Sequence, residues 1–196
     1  MPRSVEAIEQ IKGERRGEIL EAALRIFTRK GYSATKMSDI AREAGVSYGL
    51  VYHYFGSKNR VYAELVGHAI DSLGRVIRRA AAEAPDPAGQ LRLMTARVLD
   101  SVEHRESSGY YYVLVMQALT CETLPLPAAE IIGEAVKRLE GLAEIIRRGQ
   151  DEGSLRPGDP MELAVVSFAS VLGLASLKVS GMLKKVPGPE MLMRLF

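Results

Sequence analysis

TKMSDIAREAGVSYGLVYHYFGSKNR, residues 35–60, reads as two short helices joined by a tight turn. Ala41 is small enough for two helices to cross closely, and Gly45 supplies the positive backbone angle such a turn demands. Val46 and Val51 are spaced to pack beneath the second helix, and Ser47 offers a hydroxyl to cap it. The residues after the cap then project as a reading head suited to a DNA major groove. A Gly-x-Ser turn alone is a weak signal. Here it comes with apolar spacing, an aromatic patch and a basic anchor.

Working outward, helical periodicity continues almost everywhere and β-type alternation is scarce. The spacing predicts a first helix over residues 14–30, closed by Gly31 after the basic Arg29 and Lys30. Residues 1–12 read as a mobile arm or loose helical extension. Helices two and three are expected near 37–44 and 48–55, and a long fourth helix over 58–84 follows the Ser57 cap. Pro85-Asp86-Pro87 ends it. Further helices are expected near 87–106, 108–121, 126–152, 160–183 and 188–196. The fold class is therefore all-α, about nine helices: an N-terminal three-helix helix-turn-helix module joined to a helical bundle. The domain division is expected to be residues 1–57, the arm and reading head, and 58–196, a larger helical bundle.

Charge supports that division. Residues 1–60 hold 11 Lys/Arg against 7 Asp/Glu, whereas residues 61–196 hold 15 against 17. The basic excess lies with the reading head, where phosphates would be met. The single cysteine, Cys121, excludes an intrachain disulfide and fits a reducing compartment. The N-terminus has no signal-peptide core, and the apolar run 163–177 is broken by Ser167, Ser170, Gly173 and Ser176. A cytoplasmic protein without membrane association is expected.

In the head, Thr35, Lys36 and Ser38 lie where helix-two amides and hydroxyls can meet a phosphate. Tyr48 and Gly49 begin helix three, the part that enters a groove deepest. Gly49 lets backbone approach a base edge, and Tyr48 adds a contact to base or phosphate. Tyr52, His53 and Lys58 are suited to phosphates. Ile40, Val51 and Phe55 belong to the core, and Leu50 and Tyr54 lean to packing.

Residues 34–65, ATKMSDIAREAGVSYGLVYHYFGSKNRVYAEL, resemble the signature of the TetR family of bacterial transcriptional regulators. ILEAALRIFTRKGY before it resembles that family's first helix, and RRGQDEGSLRPGDPMELA resembles a segment of its regulatory domains. The resemblance implies a homodimer that binds a palindromic operator in double-stranded DNA as a repressor, and lets go when a small molecule enters the bundle. Carried onto matching positions, the DNA contacts are Thr35, Lys36, Ser38, Ser47, Tyr48, Gly49, Tyr52, His53 and Lys58. Lys36 stands where Thr or Ser is usual, and Gly56 where a basic or polar residue is usual.

The bundle has to supply the dimer face. Helix 160–183 is apolar nearly all round, and the tail after it is similar, so Val165, Phe168, Leu172, Leu192, Leu195 and Phe196 are the expected interface. Leu73, Ile77, Met94, Tyr110, Tyr111, Met116, Cys121 and Phe168 are the expected lining for a small hydrophobic or aromatic effector. Of Tyr110, Tyr111 and Tyr112, at most two can face inward. No metal-type spacing of His53, His68 and His104 exists, nor a phosphate loop or G-x-S-x-G, so neither an enzyme, a metal nor a cofactor is expected. The alternatives are a ligand-independent or Cys121 redox-responsive regulator, and a helical adaptor that does not bind DNA.

Overall fold

A computed structural model of the chain describes residues 5–122 and 124–196, and among them nine helices and no strand occur. They are α1 Val5–Ala34, α2 Met37–Glu43, α3 Tyr48–Phe55, α4 Lys58–Glu83, α5 Pro87–His104, α6 Glu106–Thr120, α7 Leu126–Asp151, α8 Pro160–Val179 and α9 Pro189–Met193. Residues 1–4 of the expected arm lie outside the described residues, and from Val5 onward the backbone is helical. Gly31 interrupts α1 with φ 75° and ψ 168°, so the chain turns where the glycine cap was expected.

Short polar side chains set four of the helix starts. Ser47 Oγ accepts the Leu50 amide at 3.2 Å and Ser57 Oγ accepts that of Arg60 at 3.3 Å. Asp86 Oδ1 takes Gly89 N at 2.8 Å, and Asp159 Oδ1 takes Met161 N and Glu162 N at 2.8 and 2.9 Å. Each such cap contributes about 0.5–2 kcal/mol. Pro87 and Pro160 follow their caps, where proline's missing N–H costs nothing.

Two junctions differ from the sequence reading. The α5–α6 break falls at Arg105, which is extended (φ −124°, ψ 104°), so α5 ends at His104 instead of 106 and α6 begins at Glu106 instead of 108. At Gly109 a Cβ would stand 2.8 Å from Val179 Cγ2, so this glycine allows α6 and α8 to approach closely. Helix α8 stops at Val179, four residues early, because Ser180 closes it and Gly181 takes φ 76°. Its 20 residues are nonetheless long and apolar enough to cross a membrane by length and composition. That corrects the expectation that its small polar residues disqualify it; here α8 packs on α6 and α7.

The principal core joins head to bundle. Phe27 and Leu24 of α1, Ile40 of α2, Val51 of α3 and Leu65 of α4 are buried in one cluster that continues to Leu114 of α6 and Leu172 of α8. Each fully buried aliphatic or aromatic side chain stabilises by about 1.5–3 kcal/mol. Gln117 Nε2 on α6 donates to the Thr28 carbonyl of α1 at 3.0 Å, a polar tie across the same contact. The reading head therefore stands on the bundle through α1 and α4.

Candidate nucleic-acid interface

The turn between α2 and α3 is built as its residue types require. Gly45 has φ 63°, and Val46 N donates to the Ala41 carbonyl at 3.0 Å. Lys36, which has no side-chain acceptor, leaves the α2 cap to its partner: Asp39 Oδ2 accepts the Lys36 amide at 3.1 Å. That hydrogen bond, with Lys30 and Arg42 nearby, holds the Asp39 carboxyl below its ordinary range, although partial desolvation opposes it. Glu43, at the other end of α2, is held low by Arg25 and then Arg29 of α1. Asp39 and Glu43 thus fix α2 to α1 and leave α3 free to project. Their role was overlooked in sequence, though acidic residues flanking one short helix beside a basic α1 end were the signal.

Along α3, Tyr48 and Tyr52 are 54% and 52% exposed, with ring centroids 5.8 Å apart. The two rings are tilted 32° to one another, and each leaves about half of its surface to solvent on one short helix. Gly49 lies between them, and a Cβ built there would meet nothing within 4 Å. Its missing side chain is therefore not explained by internal crowding. His53 is exposed and edges Tyr54, while Val51 and Phe55 fill the opposite, buried face. Lys36, Ser38 and Ser47 are exposed as well.

Two of the expected contacts stand differently. Thr35 is buried, and its hydroxyl donates to the Gly31 carbonyl at 2.7 Å, so it shapes the α1–α2 corner and presents nothing outward. Lys58 is half-buried: its Nζ donates to the Tyr32 carbonyl at 2.9 Å and lies 4.2 Å from the Tyr32 ring centre. Burial lowers its pKa. Lys58 is thus first an anchor between α1 and α4, with spare N–H bonds. Arg42, exposed on α2, is a cation the sequence reading passed over.

The expected effector residues separate into two groups. A cavity of about 460 Å³ opens between α4, α5, α6 and α8, with Leu73, Tyr111 and Phe168 in its wall. A narrow slot of about 40 Å³ adjoins it, sharing Leu73 and Phe168 and adding Ile77 and Met94. Tyr112 lines both and was not in the expected set. Burial pushes its phenol up to about 12, so it is a neutral hydrogen-bond donor. Tyr110, Met116 and Cys121 are not in these walls. Tyr110 turns out to Glu106 at 2.5 Å, and Met116 receives Ser176 Oγ at 3.6 Å. Cys121 closes α6 beside the ring system of Tyr32 and Tyr62.

The expected dimer set is also divided. Val165 is 46% exposed, and Val166, Ala169, Gly173 and Leu177 share its side of α8. Phe168 turns to the cavity and Leu172 is buried. Leu192 packs with Val98 and Val102, Leu195 borders the same cluster, and Phe196 is sealed among Leu91, Ile145 and Ile146. Leu192 and Phe196 of the tail thus cover their own bundle, while Leu195 stays half-buried and Met191 is exposed.

An exposed aromatic recognition helix behind a glycine turn, on an all-α body with a cavity between its helices, defines a helix-turn-helix regulator. Comparison with known proteins agrees. Residues 19–65 match the family described as bacterial regulatory proteins, tetR family. The transcriptional regulator TtgR of Pseudomonas putida is 32% identical over 171 residues, covering 82% of this chain and 78% of TtgR. The transcriptional repressor KstR2 of Mycobacterium tuberculosis is 29% identical, covering 76% of this chain and 73% of KstR2. The activator FasR of Mycolicibacterium smegmatis is 36% identical, but the match spans only 45% of FasR. Among solved structures, PfmR from Thermus thermophilus superimposes with a TM-score of 0.68 at 27% identity, covering 90% of this chain and 92% of PfmR. The chain belongs to the TetR family: it is a DNA-binding transcriptional regulator and not an enzyme.

Proposed function

We propose that the protein is a repressor which binds a palindromic operator as a homodimer and is released by a small, mainly hydrophobic effector. The observation that carries this is α3, whose Tyr48, Tyr52 and His53 face solvent around the open Gly49. In this reading Tyr48 and Gly49 read bases. Lys36, Ser38, Ser47, Tyr52, His53 and the spare Lys58 N–H bonds meet phosphates. Repression is favoured because the match to the repressor KstR2 covers far more of both chains than that to the activator FasR.

One recognition helix reads too few base pairs for useful specificity, so two copies are needed. The exposed α8 stripe of Val165, Val166, Ala169, Gly173 and Leu177 supports a pairing face, because small residues let two helices approach closely. Residues 1–57 act as the reading head and 58–196 as the bundle, joined mechanically by α4. An effector in the cavity beside Leu73 would bias α4 and change the separation of the two α3 helices, which should stand about 34 Å apart on the duplex. By linkage, operator and effector weaken each other to the same degree.

Light scattering of the purified protein, alone and with a duplex it retains, tests this reading. Two protomers in solution and on each operator are expected. A monomer that binds DNA singly would overturn it.

A further inference from the structure

The cavity between α4, α5, α6 and α8 is not lined as a purely hydrophobic effector would require. Four arginines stand in its wall: Arg75 and Arg79 from α4, Arg97 from α5 and Arg105 from the α5–α6 junction. Asp100 is the one carboxylate among the lining residues, and it faces His104 at 3.5 Å. Arg75, Arg79 and Arg105 form no ion pair among the described residues. Arg97 bonds Glu83 through Nη2, and Arg79 also lies in the field of that carboxylate. Arg97 Nη1, however, is buried and has no hydrogen-bond partner. The Arg97 guanidinium is thus only partly satisfied by Glu83.

The opposite end of the same space is apolar. Leu73, Tyr112 and Phe168 border both the cavity and its slot, and Met94, Leu142 and Val171 close the slot beyond them. The slot is mostly apolar, its one charged residue, Arg138, being paired with Asp71, and its narrowness suits an unbranched chain better than a ring. Guanidinium forks suit oxyanions, to which they give paired hydrogen bonds.

Resting on the effector cavity of the proposed function, we infer that its ligand is an amphipathic oxyanion. A multiply charged, phosphate-type head sits among Arg75, Arg79, Arg97 and Arg105, and an aliphatic tail passes between Tyr112 and Phe168 into the slot. The head draws on α4 and α5 together, and Arg97 already ties these two helices through Glu83.

Calorimetry with the full chain tests this without DNA, so its outcome is separate from operator release. The probes are octyl phosphate below its micelle concentration, octanol and inorganic phosphate. Octyl phosphate should bind at least tenfold tighter than octanol (about 1.4 kcal/mol), inorganic phosphate should bind far more weakly than octyl phosphate, and added salt should shrink the difference. The exposed triple variant R75Q/R79Q/R105Q should bring octyl phosphate towards the octanol value, with its melting temperature checked alongside. Arg97→Gln should do the same, and the triple variant guards against its failing to fold. Equal binding of octyl phosphate and octanol, a preference that survives in the triple variant, binding by phosphate alone as tight as by octyl phosphate, or no binding by either octyl compound would each overturn the inference. Octyl phosphate that binds as described but leaves the operator occupied would instead count against effector release and leave the ligand class standing.

Discussion

Arg16 of α1 meets Glu64 of α4 with both guanidinium arms, Nη1 to Oε1 and Nη2 to Oε2 at 2.5 Å each, and its guanidinium also lies 4.9 Å from the centre of the Phe55 ring. One arginine thus touches the first helix, the recognition helix and the helix that enters the bundle. Glu64→Gln should lower stability modestly, by about 0.2–1 kcal/mol, because the pair is partly exposed. It should lower operator affinity more, since α3 loses a brace. Denaturant melts beside DNA titrations check this. Equal losses in both would mean that the pair only stabilises.

Gly49→Ala separates binding from folding. Nothing lies within 4 Å of the added methyl, and glycine inside a helix costs about 0.5–1 kcal/mol relative to alanine. The variant should be as stable as the parent or slightly more so, yet bind its operator less well or with altered sequence preference. Tyr52→Ala should instead weaken binding to all sequences alike. The comparison is made by parallel melts and titrations on operator and scrambled duplexes. If both variants act alike on every sequence, the division into reading and positioning is wrong.

Apolar residues at the C-terminal end should behave in opposite ways. Val165→Asp, on the exposed α8 stripe, should leave the fold standing and shift light-scattering mass towards the monomer. Phe196→Ala should cost about 3–5 kcal/mol of stability, the usual loss for emptying a core aromatic site.

Acid should loosen the segment after α8. Glu103 Oε2 accepts the Val186 amide at 2.7 Å and Oε1 accepts Lys178 Nζ at 3.0 Å. These bonds, the amide first, hold its carboxyl below the ordinary range. A carboxyl lowered in the folded state stabilises fully above its unfolded pKa, about 4.3, and loses that contribution as pH falls through the lower folded value. Glu103→Gln should therefore be less stable than the parent near neutrality, with the gap closing below about pH 4. A gap independent of pH would remove the charge from the explanation.

How much was legible depended on whether a signal was local. Ser47, Ser57, Asp86-Pro87 and Asp159-Pro160 each announce a helix start through an interaction spanning two or three residues, and those starts lie where the sequence puts them. The Gly45 turn and the Ser47 cap carried the helix-turn-helix assignment in the same local way. What the sequence did not display was tertiary. Apolar periodicity says that Leu192 and Phe196 will be covered, but not that their own α5 and α7 cover them. Thr35 has the residue type of a phosphate contact, yet the Gly31 turn brings a carbonyl within reach of its hydroxyl first. The consecutive tyrosines diverge by a helical step, which sends Tyr110 to Glu106 and Tyr112 to the cavity. The arginine rim gathers from positions 75 to 105 on three elements, a clustering that no one segment displays.

In the proposed function, α3 reads DNA as one of a symmetric pair. Selecting random duplex DNA on the purified protein and sequencing what is retained tests it most directly. An enriched palindrome, its half-site centres about one helical turn or a multiple of it apart, is the predicted result. Enrichment of a single unrepeated site, or retention that tracks charge without any motif, would contradict it.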